Sequence, residues 1–221
     1  MILLKHCIDS VKSEIMKLKI KNSGYINKII PVSAVDGPGN RLIFFLQGCS
    51  LNCKYCHNPE TINYCSSCGK CLKYCKNSAL EKINNTIKYN IHLCKVCGKC
   101  IKNCPSLSSP KYFEMDLTCI EKIINLNRDF ISGITVSGGE PTMQSEFTAG
   151  ILKSAKNIKI SAFLNTNCNC NISVIKFLEK YFDYAMIDIK AFDSAEHKKL
   201  TGSDNKMILQ NAAYLLKKKS L

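Results

Sequence analysis

The chain has 221 residues, 46% of them hydrophobic, with mean hydropathy near zero, so it suits one ordinary domain with a small insertion and not a disordered polymer. No run of 18 uncharged apolar residues occurs and the first residues lack the apolar core of a signal peptide, which predicts a cytoplasmic protein with no membrane partner. The 31 basic and 17 acidic residues give +14, yet the lysines are scattered and bound thiolate clusters would lower the charge to roughly +9, so no nucleic-acid partner is expected.

Residues 1–23 form a Lys-rich extension whose Ile8, Val11, Ile15 and Leu18 have helical spacing. An extended segment around Ile26–Val32 follows, then the turn Asp36-Gly37-Pro38-Gly39 and the apolar run Leu42–Leu46, which reads as a strand buried on both faces. That strand runs into Gly48 and a loop carrying Cys49, Cys53 and Cys56. Residues 60–112 interrupt the pattern with few large apolar side chains and many Cys, Lys and Asn, and read as a small inserted domain.

Beyond the insertion, helices and strands alternate. Helices are predicted over Asp116–Asn127, Ser145–Ala155, Ser173–Lys180, near Glu196, and over about Lys206–Lys219. Strands are predicted at Ile134–Val136, Ile158–Leu164 and Tyr184–Ile189. With Leu42–Leu46 this makes four parallel strands, each ending in polar residues: an α/β fold in which chemistry collects at the C-terminal strand ends.

Fifteen cysteines without a signal sequence point to thiolate ligands in a reducing compartment. The insertion holds two copies of C-x2-C-x2-C-x3-C: Cys65, Cys68, Cys71, Cys75 and Cys94, Cys97, Cys100, Cys104. This spacing places three thiolates on one [4Fe-4S] cluster and sends the fourth to the other, so the predicted sets are Cys65, Cys68, Cys71, Cys104 and Cys94, Cys97, Cys100, Cys75. Pro follows Cys104 but Lys76 follows Cys75. Zinc is the alternative, although its sites rarely use three cysteines at consecutive two-residue gaps. Cys49, Cys53 and Cys56 are three thiolates with no fourth nearby, which on a cubane leaves one iron open to a small molecule. Of the remaining cysteines Cys119 reads as a core residue, and His6, His92 and His197 read as surface residues.

The spacing C-x3-C-x-aromatic-C, with Tyr55 in the aromatic slot and Gly138-Gly139-Glu140 after the next strand, resembles the radical S-adenosylmethionine superfamily. Val35-Asp36-Gly37-Pro38-Gly39-Asn40-Arg41 and Cys56-His57-Asn58-Pro59-Glu60 narrow the resemblance to the glycyl-radical-enzyme activating enzymes, nearest the YjjW-type glycine radical enzyme activases. The resemblance implies a C-terminally short, partial (β/α) TIM-like barrel over residues 24–59 and 113–221, with a ferredoxin-like dicluster insertion at 60–112. It implies three [4Fe-4S] clusters and S-adenosylmethionine, which is cleaved reductively to a 5′-deoxyadenosyl radical that takes a hydrogen atom from a glycine of a partner glycyl radical enzyme. A flavodoxin or ferredoxin-type reductant and a monomeric state are implied as well.

By the same resemblance Cys49, Cys53 and Cys56 hold the catalytic cluster. Gly138, Gly139 and Glu140 meet the methionine part of the cofactor. Asn165, Thr166, Asp188 and Lys190 lie beside its carboxylate, around a monovalent cation. Asn165 and Cys168 stand where the family usually has Asp and Gly, which predicts weaker cation binding. The family barrel runs on for about two more strands, so weaker cofactor binding is expected here too. Two rival readings are a ferredoxin-like electron-transfer protein and a truncated, inactive cluster-binding relative.

Overall fold

A computed structural model describes residues 23–106 and 108–218. The amphipathic stretch before Ser23, with His6 and Cys7, lies outside the described residues, as does Lys219.

One sheet of six strands forms the centre, in the order β5-β1-β2-β6-β7-β8. Its strands are β1 (Ser23–Ser33), β2 (Arg41–Leu46), β5 (Phe113–Asp116), β6 (Gly133–Gly138), β7 (Ser161–Thr166) and β8 (Tyr184–Ile187). The strands β2, β6, β7 and β8 run parallel, which matches the four strands expected from the sequence. At one edge β1 and β5 add in the antiparallel sense. The strand β7 begins at Ser161 and not at Ile158, because Lys159 adopts a left-handed conformation and ends the preceding helix there. A separate antiparallel pair, β3 (Leu80–Ile83) and β4 (Thr86–Tyr89), lies within residues 60–112 beside the helical turn α1 (Lys99–Lys102). Leu80 and Ile87 of this pair, with Cys71 and Cys100, make a second small core.

The other helices are α2 (Leu117–Asn127), α3 (Ser145–Asn157), α4 (Ile172–Leu178), α5 (Ser194–Thr201) and α6 (Lys206–Lys218). Three of them start at side-chain caps: Asp116, Asn171 and Asp193 accept from the backbone N–H of Cys119, Ser173 and Glu196. The apolar faces of α2 and α3, including Ile120, Ile124, Ile151 and Leu152, join Leu42, Phe44, Leu46, Ile134 and Val136 in the main core. As predicted, Cys119 is buried there.

On the opposite face, Ile43, Thr135, Phe163 and Tyr184 stand in one register row across the parallel strands. The Phe163 and Tyr184 rings stack at 4.9 Å. Two residues before Ile43, Arg41 is fully buried on this face. Its guanidinium lies 4.1 Å from the Phe163 ring centroid and donates to Thr135 Oγ1 (3.2 Å), Ser161 Oγ (2.5 Å) and the Ile134 carbonyl. Gly133 makes the room, since a Cβ there would lie 2.4 Å from Arg41 Nη1. The conspicuous Asn40-Arg41 pair thus braces the N-terminal end of the sheet, away from the cysteine loop. Arg41→Ala leaves these acceptors unpaired in a dry pocket. It is expected to cost about 3–5 kcal/mol, read as a lowered urea midpoint with little change in the slope.

Between the sheet and the second small core, Tyr25, Tyr64 and Tyr112 form a triangle of edge-on rings with centroids 5.4–5.9 Å apart. Gln47, fully buried, donates from Nε2 to the carbonyls of Glu60 and Asn63 and accepts from Asn27. These contacts fasten the start of residues 60–112 to the end of β2.

Candidate functional site

The chain leaves β2 through Gly48, whose N–H donates to the Thr61 carbonyl. Cys49, Cys53 and Cys56 follow on one loop, which is pinned on its far side by α5. The N–H groups of Asn52 and Lys54 donate to the carbonyls of Thr201 and Leu200, at 2.8 and 2.9 Å. The orphan carbonyls at a helix C-terminus are thereby used to hold the loop.

The three thiols lie within electrostatic reach of one another. Burial pushes Cys49 up to about 12, helped by the charges of Glu140, Cys53 and Cys56. Cys53 is also raised by burial, against the pull of Lys190. The backbone N–H of Leu51 and the side-chain amide of Asn167 donate to Cys49 Sγ at 3.5 and 3.7 Å. A part-buried thiol with N–H donors aimed at it suits a thiolate bound to metal, since a metal replaces the proton and the donors stabilise the remaining charge. Assembly on the apo-protein must release that proton. The initial rate of anaerobic cluster assembly is therefore expected to climb from neutral to mildly alkaline pH without a plateau, followed by the growth of visible absorbance.

Glu140 has both oxygens engaged. Oε1 accepts from Thr142 N–H (3.0 Å), Thr142 Oγ1 (2.7 Å) and Thr166 Oγ1 (2.6 Å), and Oε2 accepts from Asn167 N–H (2.8 Å). Complete burial still holds the carboxyl above its ordinary range, because desolvation outweighs these four donors. Gly138 and Gly139 are filled against protein. A Cβ on Gly138 would lie 2.1 Å from Leu46 N, and one on Gly139 would lie 2.1 Å from the Gly48 carbonyl oxygen. The N–H groups of Gly139 and Glu140 donate to the carbonyls of Leu46 and Gly48. The Gly138-Gly139-Glu140 turn therefore holds the entry to the cysteine loop, beyond any role toward a small molecule.

Asn165 and Thr166 end β7 opposite Met186 and Ile187, and the Asp188 N–H donates to the Thr166 carbonyl. The Thr166 hydroxyl donates to Glu140 Oε1. Lys190 pairs with Asp188 at 3.2 Å, and Tyr55 Oη donates to the Lys190 carbonyl at 3.5 Å. All these groups sit at the C-terminal ends of the four parallel strands.

Within residues 60–112 the thiols fall into neighbourhoods that cross between the repeats. Cys71 feels the charges of Cys65, Cys100 and Cys104, and burial takes it up to about 11. Tyr89 feels Cys94, Cys100 and Cys75, and Lys111 lies against Cys94 and Cys100. Cys68 and Cys97 are exposed. Among the described residues no three His, Cys, Asp or Glu side chains are placed to hold a single metal ion.

One sequence expectation fails. His197 is not a surface residue but fully buried, because α5 turns inward to meet the cysteine loop. Its Nδ1 lies 2.7 Å from the Ser203 carbonyl oxygen, and Nε2 has no partner among the described residues. This contact holds the turn after α5, from which the loop hangs. His197→Ala is expected to lower the iron retained after gel filtration while leaving far-ultraviolet circular dichroism intact. Spacing gave no sign of this, nor of Asn211, whose amide donates to the carbonyls of Cys168 and Cys170. Cys168, at the position where the resemblance implies Gly, adopts a positive φ of 57°.

A family model described as a 4Fe-4S single cluster domain matches residues 35–209. The 4-hydroxyphenylacetate decarboxylase activating enzyme of Clostridioides difficile strain CD196 is 32% identical over 212 residues, covering 87% of this chain and 67% of that protein. The chain belongs to the glycyl-radical-enzyme activating enzymes. These activating enzymes use radical S-adenosylmethionine chemistry to place a glycyl radical on a partner enzyme. The choline trimethylamine-lyase activating enzyme of Oleidesulfovibrio alaskensis is also 32% identical, over 90% of this chain and 70% of that one. The chain thus spans about two thirds of the length of these two relatives. Among solved structures, QueE from Escherichia coli aligns over 92% of this activating enzyme and 85% of its own chain, with a TM-score of 0.47 and 11% identity.

Proposed function

We propose that Cys49, Cys53 and Cys56 hold a [4Fe-4S] cluster with one iron open to S-adenosylmethionine, and that this protein activates a glycyl radical enzyme. The observation that carries this is the convergence of the three-cysteine loop with Glu140, Asp188 and Lys190 at one end of the parallel strands in a member of this family. When bound, the cluster and S-adenosylmethionine supply reductive cleavage of the sulfonium and a 5′-deoxyadenosyl radical that takes a hydrogen atom from the partner's glycine.

The chain's own residues set the stage for that chemistry. Lys190 offers a cation to the cofactor carboxylate. Glu140 Oε2 takes a single donor, the Asn167 N–H, and so keeps a lone pair for the cofactor's ammonium, whereas Oε1 already takes three donors. Asn165, Thr166 and Asp188 supply oxygens for a monovalent cation, with one formal charge fewer than an Asp at position 165 would give. Residues 24–59 and 113–221 are read as a partial barrel, a reading supported by the parallel strands β2, β6, β7 and β8 with helices between successive ones.

Residues 60–112 are read as a dicluster insertion with the two ligand sets Cys65, Cys68, Cys71, Cys104 and Cys94, Cys97, Cys100, Cys75. Tyr89, beside Cys94, Cys100 and Cys75, supports the second set, and Cys71 lies near Cys65 and Cys104 of its own set as well as Cys100 of the other. The tyrosine triangle lies on the way between the two cysteine regions: Tyr64 Oη donates to the Gln47 carbonyl, and Tyr112 meets Cys65. Electrons are proposed to arrive through the insertion. Lys70 and Lys73 line a groove of about 550 Å³ with Tyr74, Asn103 and Pro105, a basic face suited to an acidic flavodoxin or ferredoxin-type donor.

Anaerobically reconstituted protein, reduced chemically, is expected to convert S-adenosylmethionine to 5′-deoxyadenosine and methionine. Electron transfer without any 5′-deoxyadenosine would leave the ferredoxin-like reading standing.

A further inference from the structure

We infer that Asn167 is a positioning residue that raises the reduction potential of the group bound by Cys49, Cys53 and Cys56. The inference rests on the preceding assignment of those cysteines to the catalytic cluster. Asn167 is 6% exposed and held at three points. Its N–H donates to Glu140 Oε2, and its Oδ1 accepts from Asn169 N–H at 2.8 Å. With Oδ1 engaged on one side, the amide NH2 faces the other way, where Nδ2 stands 3.7 Å from Cys49 Sγ. The donor comes from the end of β7, a strand apart from the cysteine loop, so this contact fixes the loop against the sheet as well as touching the sulfur.

Reduction adds negative charge to a cluster, and part of that charge resides on its thiolates. A fixed N–H dipole aimed at Cys49 Sγ favours the reduced form more than the oxidised one. Cys49 is part-buried, so water screens the effect only in part. Hydrogen-bonding partners outside the ligand set tune metal centres in this way. Glu140 has a part in it as well: its Oε2 takes the Asn167 backbone N–H and so sets where the amide sits.

The test is an EPR-monitored redox titration of the full reconstituted chain without S-adenosylmethionine, comparing wild type with Asn167→Asp and Asn167→Ala. The aspartate keeps an oxygen for Asn169 and loses the donor; the alanine loses both. Removing the donor is expected to disfavour the reduced form about tenfold, a fall of about 59 mV for a one-electron couple. Asp is expected to fall further than Ala because it adds a negative charge.

A purely structural role would lower the iron content but leave the midpoint of the loaded fraction unchanged, and that result overturns the inference. Should neither variant load a cluster, wild type grown with asparagine labelled with nitrogen-15 in its side chain decides the matter. Pulsed EPR of the reduced cluster is expected to show a nitrogen-15 coupling, and its absence overturns the inference. A wild-type cluster that ignores S-adenosylmethionine would instead overturn the functional assignment, a separate outcome.

Discussion

Cys53→Ser is expected to abolish formation of 5′-deoxyadenosine. The serine hydroxyl is a poor iron ligand at neutral pH, and with two thiolates left the loop of Cys49–Cys56 has no means to keep a cubane. The loss should be local. Iron at the sites proposed for the eight cysteines of residues 60–112 is expected to stay, because their small core of Cys71, Leu80, Ile87 and Cys100 is separate from the main one. Iron and sulfide analysis should therefore show a partial fall in metal beside a complete fall in turnover. Cys119→Ser is the control. That residue is buried on α2 in the main core, and its variant is expected to keep both its iron and its activity.

Glu140→Ala should be the most destabilising change at the site. It strands four donors, from Thr142, Thr166 and Asn167, in a pocket closed to water. About 3–5 kcal/mol is expected, which in a chain of this size lowers the melting temperature by about 10 °C. Glu140→Gln separates charge from shape. Burial raises the folded-state pKa of this carboxyl above its unfolded value. Its contribution to stability is therefore fully present below the unfolded carboxylate pKa, about 4.3, and is lost as pH rises through the folded value. Gln does not ionise and escapes that loss. The deficit of the Gln variant against wild type is thus expected to be largest in acid and to shrink toward neutral pH, measured by urea unfolding at both. A deficit independent of pH would mean that Glu140 titrates normally in the fold.

Much of this arrangement is legible in the sequence because it depends on spacing and periodicity. The apolar run Leu42–Leu46 announces a strand covered on both sides, and the helix that starts behind Asp116 shows its inner face at helical intervals. The cysteine spacings point to a 4Fe-4S protein without any fold at all, in line with the family model over residues 35–209. Other features depend on which residues meet across the sheet, and no local pattern carries that. Arg41 looks like part of a functional signature, yet it is buried under Phe163 because Gly133, 92 positions away, leaves it room. His197 lies in a stretch of lysines that reads as surface, and only the docking of the cysteine loop on Leu200 and Thr201 turns it inward. The glycines of Gly138-Gly139-Glu140 read as space for a ligand, whereas Leu46 and Gly48 fill that space. The Asn167 contact with Cys49 was equally hidden, since 118 residues separate the two.

An open iron on the group held by Cys49, Cys53 and Cys56 can be detected outright by electron–nuclear double resonance. The reduced, reconstituted protein is mixed with S-adenosylmethionine carrying nitrogen-15 in its amino group and oxygen-17 in its carboxylate. Hyperfine couplings from both labels are expected, of a size that requires direct bonding to iron, and they should disappear in Cys53→Ser. A reduced cluster whose spectrum shows neither coupling at saturating S-adenosylmethionine would contradict an open iron there.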